Sequence, residues 1–139
     1  MYCLGKGIHF LSKKVLDHFS RPRNVGVIVN PDGVGYLSDS SYGIDLELYI
    51  KVKDNIITGA RFKAFGCATT IAAVSMVSEM LEGRSIEQAL DISGEEIAEA
   101  LDGLPPSRRH CAELGYRLIN SAVDDFTRKQ SNQKLVAFR

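Results

Sequence analysis

Residues 42–67 read YGIDLELYIKVKDNIITGARFKAFGC, and their pattern decides the fold. From Ile44 the side chains alternate, with Ile44, Leu46, Leu48, Ile50 and Val52 on one side and Asp45, Glu47, Tyr49, Lys51 and Lys53 on the other. A period of two marks a half-buried strand. Asp54-Asn55 is a turn signal, and the run from Ile56 to Phe65 returns rich in branched and aromatic residues, which predicts an antiparallel hairpin. Gly66-Cys67 follows at once, and Ala68 to Leu81 then runs without Gly or Pro and with few polar groups. This run predicts a helix packed on the sheet. Cys67 then stands at a strand-to-helix junction, where unpaired amides and the helix dipole favour a thiolate.

Upstream of the hairpin, residues 1–11 carry no period and are expected to form a flexible extension. Ser12 can cap a short helix reaching about Phe19, which Pro22 closes. From Arg21 to Gly35 the chain holds two Pro, three Gly and two Asn and is read as loop, with Val34 to Leu37 a short edge strand. Ser38 to Ser41 is expected to be a flexible connection. Downstream, Gly83 stops the long helix, Ser85 with Gln88 forms a capping box, and Ser93 with Glu96 repeats the device before Gly103. Leu104-Pro105-Pro106 is a stiff connector. A final helix is predicted from about Ser107 to Lys129, with Cys111, Leu114, Leu118, Ala122 and Phe126 on one stripe. Gly115 interrupts that helix at a cost of about 1 kcal/mol relative to Ala, so close packing is expected at its turn. Residues 130–139 are expected to fray.

At 139 residues the chain is read as one domain spanning 1–139, without repeats or low-complexity tracts. Lys plus Arg and Asp plus Glu are 17 each, which argues against bulk nucleic acid or a membrane surface as partner. Three cysteines, Cys3, Cys67 and Cys111, are too few for a secreted disulfide framework and point to a reducing, cytoplasmic setting. The N-terminal apolar run Ile8 to Leu11 is too short for a signal-peptide core, and no window approaches the roughly 20 apolar residues of a membrane span.

The residues able to carry chemistry are Cys67 and the pair His110-Cys111. They lie too far apart in sequence for a zinc finger, so a shared site has to be built by the fold. Two thiols and an imidazole suit zinc or an iron-sulfur cluster. The plainer alternative makes Cys67 and Cys111 small buried hydrophobes and His110 a surface residue. A thiol enzyme with His110 assisting Cys111 is disfavoured, because neighbours on a helix point about 100° apart and no oxyanion device is visible.

Four segments narrow the choice: SKKVLDHFSRPRNVG from Ser12, DLELYIKV from Asp45, ARFKAFGCATTIAAVSMVSEMLEG from Ala60 and LPPSRRHC from Leu104. In this order and spacing the chain resembles the NifU/IscU family of iron-sulfur cluster assembly scaffolds from Ser12 to about Phe126. The resemblance implies an α+β fold, a small antiparallel sheet of about three strands packed against several helices on one face. It also implies that three cysteines and a nearby Asp or His hold a nascent [2Fe-2S] cluster, with sulfur delivered as persulfide by a cysteine desulfurase. On that reading Cys67 matches the second ligand cysteine, Cys111 the third and His110 the histidine beside it. Cys111, expected to be exposed at a helix start, is the expected sulfur acceptor.

The family's first ligand motif, Cys-Gly-Asp, is broken. Tyr42 falls at the cysteine position and Ile44 at the aspartate, around Gly43. In an extended chain positions 42 and 44 share a face, so both are expected to continue the apolar side of Leu46 and Leu48. The candidate replacement donors are Tyr42, whose phenol needs a metal to lower its reference pKa of about 10, Asp39, Cys3, an external thiol, or a second protomer in a homodimer. Asp45 is expected on the opposite face. The family's chaperone-recognition segment LPPVK reads LPPSR here, which weakens the expected docking of an Hsp70-type chaperone. The chain is therefore read as a scaffold or carrier and not an enzyme, binding iron or a [2Fe-2S] cluster with altered ligation, with zinc an alternative occupant. The other reading is a cluster-free paralogue that docks on the desulfurase or another assembly component.

Overall fold

The computed structural model describes residues 11–137. Most of the expected N-terminal extension, including Cys3, and the last two residues lie outside that range. The element order is α1 (Lys13–Ser20), β1 (Gly33–Asp39), β2 (Ile44–Lys53), β3 (Ile56–Phe65), α2 (Ala68–Leu81), α3 (Ile86–Leu90), α4 (Gly94–Ala100), a 3-10 turn over Pro106–Arg108, and α5 (Arg109–Ala137). The three strands form one antiparallel sheet in the order β1-β2-β3. The fold is thus α+β, as the resemblance implied.

The β2–β3 hairpin follows from its turn. Asp54 and Asn55 both take positive φ, 53° and 66°, the conformation that Asn and Asp tolerate best among non-glycine residues. A register shift between Lys51 and Val52 then keeps Ile57 on the same face as Ala60 and Phe62. That face, with Ile44, Leu46, Leu48 and Ile50 of β2, is buried under the helices. α2 is nearly all apolar because it lies between the sheet, α1 and α5, and its residues Ala72, Ala73, Val74 and Val77 are fully enclosed.

Helix α5 lies over β1 at unusually short range. A Cβ on Gly33 would stand 2.5 Å from the Ala122 carbonyl oxygen, and one on Gly35 would stand 2.7 Å from the Leu118 oxygen and 2.8 Å from the Ala122 nitrogen. Only glycine lets helix backbone approach strand backbone so closely. The same helix satisfies the outer edge of β1: Asp125 Oδ2 accepts the Val34 N–H at 2.8 Å and Ser121 Oγ the Tyr36 N–H at 3.1 Å. At the opposite edge, residues 24–26 run beside β3, with Gly26 N–H donating to the Phe62 carbonyl at 2.8 Å and Phe62 N–H to the Asn24 carbonyl at 3.0 Å. Both sheet edges are therefore partly covered, at Val34 and Tyr36 on one side and at Phe62 on the other, which hinders pairing with another chain.

Several expectations change. β1 is longer than the predicted strand and includes Ser38 and Asp39, because all seven of its residues find partners on β2. α5 continues to Ala137 instead of fraying from Gln130. Gly115 packs closely as expected, since a Cβ there would meet Val77 Cγ2 at 3.1 Å and Ile97 Cδ1 at 3.2 Å. Ser85 and Gln88 make the reciprocal capping box, and Ser93 caps α4 by accepting the Glu96 N–H.

Periodicity gave no sign of the polar cluster that ties the loop after α1 to α2. His18 is 4% exposed; its Nδ1 lies 2.8 Å from Ser75 Oγ and its Nε2 3.3 Å from Glu79 Oε1. Ser75 Oγ also accepts the Arg23 N–H, and Asn24 Nδ2 donates to Ser78 Oγ. With Nε2–H donating to Glu79, Nδ1 accepts the Ser75 hydroxyl proton and the imidazole is neutral. Burial, followed by the nearby Arg23 charge, pushes the His18 pKa below its ordinary 6.5.

Two outcomes test this packing. Gly35→Ala should destabilise the protein by about 1–3 kcal/mol, read as a lower urea midpoint. Gly59→Ala, whose Cβ would meet nothing closer than Lys51 Cβ at 3.8 Å, should change it by no more than about 0.5 kcal/mol. Because the folded chain resists protonating His18, stability should fall as pH drops below 6.5, where the unfolded chain takes up the proton first. His18→Gln should flatten that part of the pH–melting-temperature profile.

Candidate functional site

Cys67 is the residue at which β3 becomes α2. Its backbone is extended at φ −75° and ψ 168°, and it occupies the N-cap of α2 without making a side-chain cap hydrogen bond. The sulfur therefore stands uncommitted to capping at the end of a helix that favours negative charge. Cys111 sits in the first turn of α5, on the apolar stripe that continues through Leu114, Leu118, Ala122 and Phe126. The close fit of α5 on β1 carries this first turn over the start of α2. There the two sulfurs stand 3.9 Å apart.

Thr70, one turn into α2, joins them. Its Oγ1 lies 3.3 Å from Cys67 Sγ and donates to Cys111 Sγ at 3.4 Å. Sequence reasoning missed Thr70, although its spacing of three from Cys67 places it on the same helix face. His110 is exposed, and its Nε2 lies 3.6 Å from Cys111 Sγ. The two cysteines differ in exposure: Cys67 is half-buried and Cys111 is 0% exposed. The expectation that Cys111 is exposed is therefore wrong, because the stripe that holds α5 in the core begins with Cys111 itself.

The strand register brings the broken first motif to the same end of the sheet. Asp45 pairs with Phe65 and Ile44 with Asp39, so the turn between β1 and β2 lies across from Gly66 and Cys67. Tyr42 and Ile44 do not share a face. Residues 40–43 form a turn with Gly43 at φ 65°, which breaks the alternation. Tyr42 is 77% exposed while Ile44 is 8% exposed and belongs to the core. Asp39 is exposed at the end of β1, and its Oδ1 accepts the Ser41 N–H at 3.0 Å, steadying the turn. Asp45 is exposed, on the face away from Ile44 and Leu46.

The donor set fits iron or zinc by softness, two thiols and one imidazole, but it is short of four ligands. Among the described residues, no group of three or more His, Cys, Asp or Glu side chains is arranged to hold a metal ion. No helix among them is long and apolar enough to cross a membrane. The difference in burial predicts unequal reactivity. Under a limiting alkylating agent, Cys67 should be modified ~10-fold or more faster than Cys111 in the native protein, and the difference should vanish in urea; peptide mapping by mass spectrometry reads both rates.

Comparison with known proteins identifies the family and supports the fold. The family model described as "NifU-like N terminal domain" matches residues 10–133. The iron-sulfur cluster assembly scaffold protein IscU 1 of Archaeoglobus fulgidus is 48% identical over 118 residues, covering 85% of this chain and 77% of that protein. The scaffold protein IscU of Escherichia coli K12 is 42% identical over 123 residues, covering 86% of this chain and 95% of that protein. Among solved structures, a hypothetical protein superposes with a TM-score of 0.69 at 27% identity over 80% of this chain and 94% of that one. A nitrogen-fixing NifU-like protein (N-terminal) from Brucella abortus gives 0.60 at 16% identity, covering 86% and 93%, a likeness of fold alone. With its family model matched from the start of α1 into the last turns of α5, the chain belongs to the NifU-like N-terminal domain family.

Proposed function

We propose that the protein is a non-catalytic iron-sulfur cluster assembly scaffold that takes iron or a [2Fe-2S] cluster as cargo through Cys67, Cys111 and His110. The observation that carries this reading is the 3.9 Å approach of two thiols from different helices, with an imidazole 3.6 Å from one of them. Thiolates are the ordinary protein ligands of such clusters. The missing donor is supplied by the exposed phenol of Tyr42, by Asp39, or by a second protomer, since two thiolates from each of two subunits complete a bridged cluster. A cysteine desulfurase is the proposed sulfur donor, and the cytoplasm the proposed setting because it keeps both thiols reduced. Zinc is an alternative occupant of the same donors. An Hsp70-type chaperone would meet mainly Pro106, Ser107 and Arg108, because Leu104 is 9% exposed and packs in the core.

The competing reading, a cluster-free member that docks on the desulfurase or another assembly component, draws support from two observations. Ile44 is committed to the core and the described residues lack a three-donor metal arrangement. Anaerobic reconstitution with ferrous iron and sulfide separates the two. The scaffold reading expects a visible sulfide-to-iron charge-transfer spectrum with matching iron and sulfide, at about one cluster per dimer if subunits bridge. A colourless protein that still binds a cysteine desulfurase would favour docking. Because Tyr42 is 77% exposed, Tyr42→Cys restores the third thiol without disturbing the core. Its cluster should survive a chelator about tenfold longer, the scale on which changes around a metal act; no gain would place the missing ligand elsewhere. Ile44→Asp, by contrast, should cost stability by placing a charge in the core.

A further inference from the structure

The unequal burial of the two sulfurs assigns them different tasks in handling delivered sulfur. We infer that Cys67 receives sulfane sulfur from a persulfide donor and that Cys111 then releases it as hydrogen sulfide, closing a Cys67–Cys111 disulfide. This inference rests on the sulfur-accepting part of the proposed function and adds a chemical step to it.

Cys67 is half-buried at the end of β3 and can meet a donor, whereas Cys111 is 0% exposed behind it. A thiolate at Cys67 attacks the outer sulfur of the donor persulfide. One S–S bond breaks, another forms, and the donor leaves as its thiolate with Cys67 now carrying –S–SH. The sulfur gained is at the sulfane level, while a cluster contains sulfide, so two electrons have to be added. In a site with three thiolates these electrons need not come from Cys67 and Cys111. With Tyr42 in place of the first cysteine, Cys111 is, among the described residues, the cysteine placed beside Cys67.

The geometry selects which sulfur Cys111 attacks. Its Sγ is 3.9 Å from Cys67 Sγ, the inner sulfur of the persulfide, and a disulfide forms at about 2 Å. Thr70 Oγ1 contacts both sulfurs and holds them side by side. Attack on the inner sulfur breaks the S–SH bond, forms Cys67–S–S–Cys111 and expels the outer sulfur toward solvent. Cys111–SH and Cys67–S–SH become one disulfide and one molecule of hydrogen sulfide: the two cysteine sulfurs are oxidised, the sulfane sulfur is reduced by two electrons, and the Cys111 proton ends on the leaving sulfide. His110 Nε2, 3.6 Å from Cys111 Sγ, is placed to relay that proton. An external dithiol, oxidised in turn to its disulfide, returns both cysteines to thiols before they hold metal.

The test treats the reduced full-length protein anaerobically with glutathione persulfide, removes excess reagent, and follows protein mass, peptide linkage and released sulfide. The expected result is one equivalent of sulfide, a protein lighter by two hydrogens, and a linked pair of peptides containing Cys67 and Cys111. Cys111→Ser should instead stop with one added sulfur mapped to Cys67, with sulfide release reduced at least ~10-fold. Excess glutathione should then free that sulfur, showing that the variant is loaded, and a wild-type-like thermal unfolding transition shows that it is folded. Wild-type protein that holds the added sulfur as a stable persulfide, or links cysteines other than these two, overturns the resolving step while leaving sulfur acceptance standing. Failure of the wild type to take up sulfur from either glutathione persulfide or a cysteine desulfurase overturns the acceptance reading and this inference together.

Discussion

The close contact between α5 and β1 is the constraint on which the rest of the structure depends. A helix packed on a sheet through ordinary side chains is held off by their bulk, and small changes of side chain shift its axis. Here Gly33 and Gly35 remove the spacer, so the α5 backbone around Leu118 and Ala122 rests on the strand itself. Asp125 and Ser121 then bond the outer amides of β1, fixing α5 along the strand as well as against it. Gly115 applies the same principle against Val77 and Ile97. Together these contacts determine where the first turn of α5 stands, and hence where Cys111 meets Cys67.

The site that results is asymmetric. Its two sulfurs come from helix starts of different character: Cys67 emerges from a strand and remains half-buried, while Cys111 is the first member of the core stripe of α5. Thr70 bridges them because α2 turns back over its own N-cap within one turn. An asymmetric pair can divide labour between receiving sulfur and resolving it, which two equally exposed thiols would not do selectively. On the proposed reading, Tyr42 at the first ligand position sharpens the division, since Tyr42 lies out in the turn and Ile44 is drawn inward to complete the core.

Much of the fold was legible because local signals agreed with one another. The hairpin, its Asp54-Asn55 turn, the bounds of α2, the caps at Ser12, Ser85 and Ser93 and the apolar stripe of α5 all rest on interactions spanning a few residues. The family resemblance rested on several separated motifs, and the family match covers all of them. The errors share a cause too. Alternation predicted a common face for Tyr42 and Ile44, but a single positive φ at Gly43 ended the strand between them. Exposure of Cys111 was inferred from its place at a helix start, whereas its burial depends on what α5 packs against.

The sequence by itself determined which elements form and which side chains can carry chemistry, because capping, turn geometry and hydrophobic period are local properties of the chain. It also determined membership of the family, whose model matches residues 10–133. Only the tertiary structure decided that the two sulfurs stand 3.9 Å apart, that Thr70 joins them and that one is enclosed while the other can be reached. These are long-range outcomes. They are fixed by the axis of α5 on the sheet, which backbone contacts at Gly33 and Gly35 set far from either cysteine in sequence.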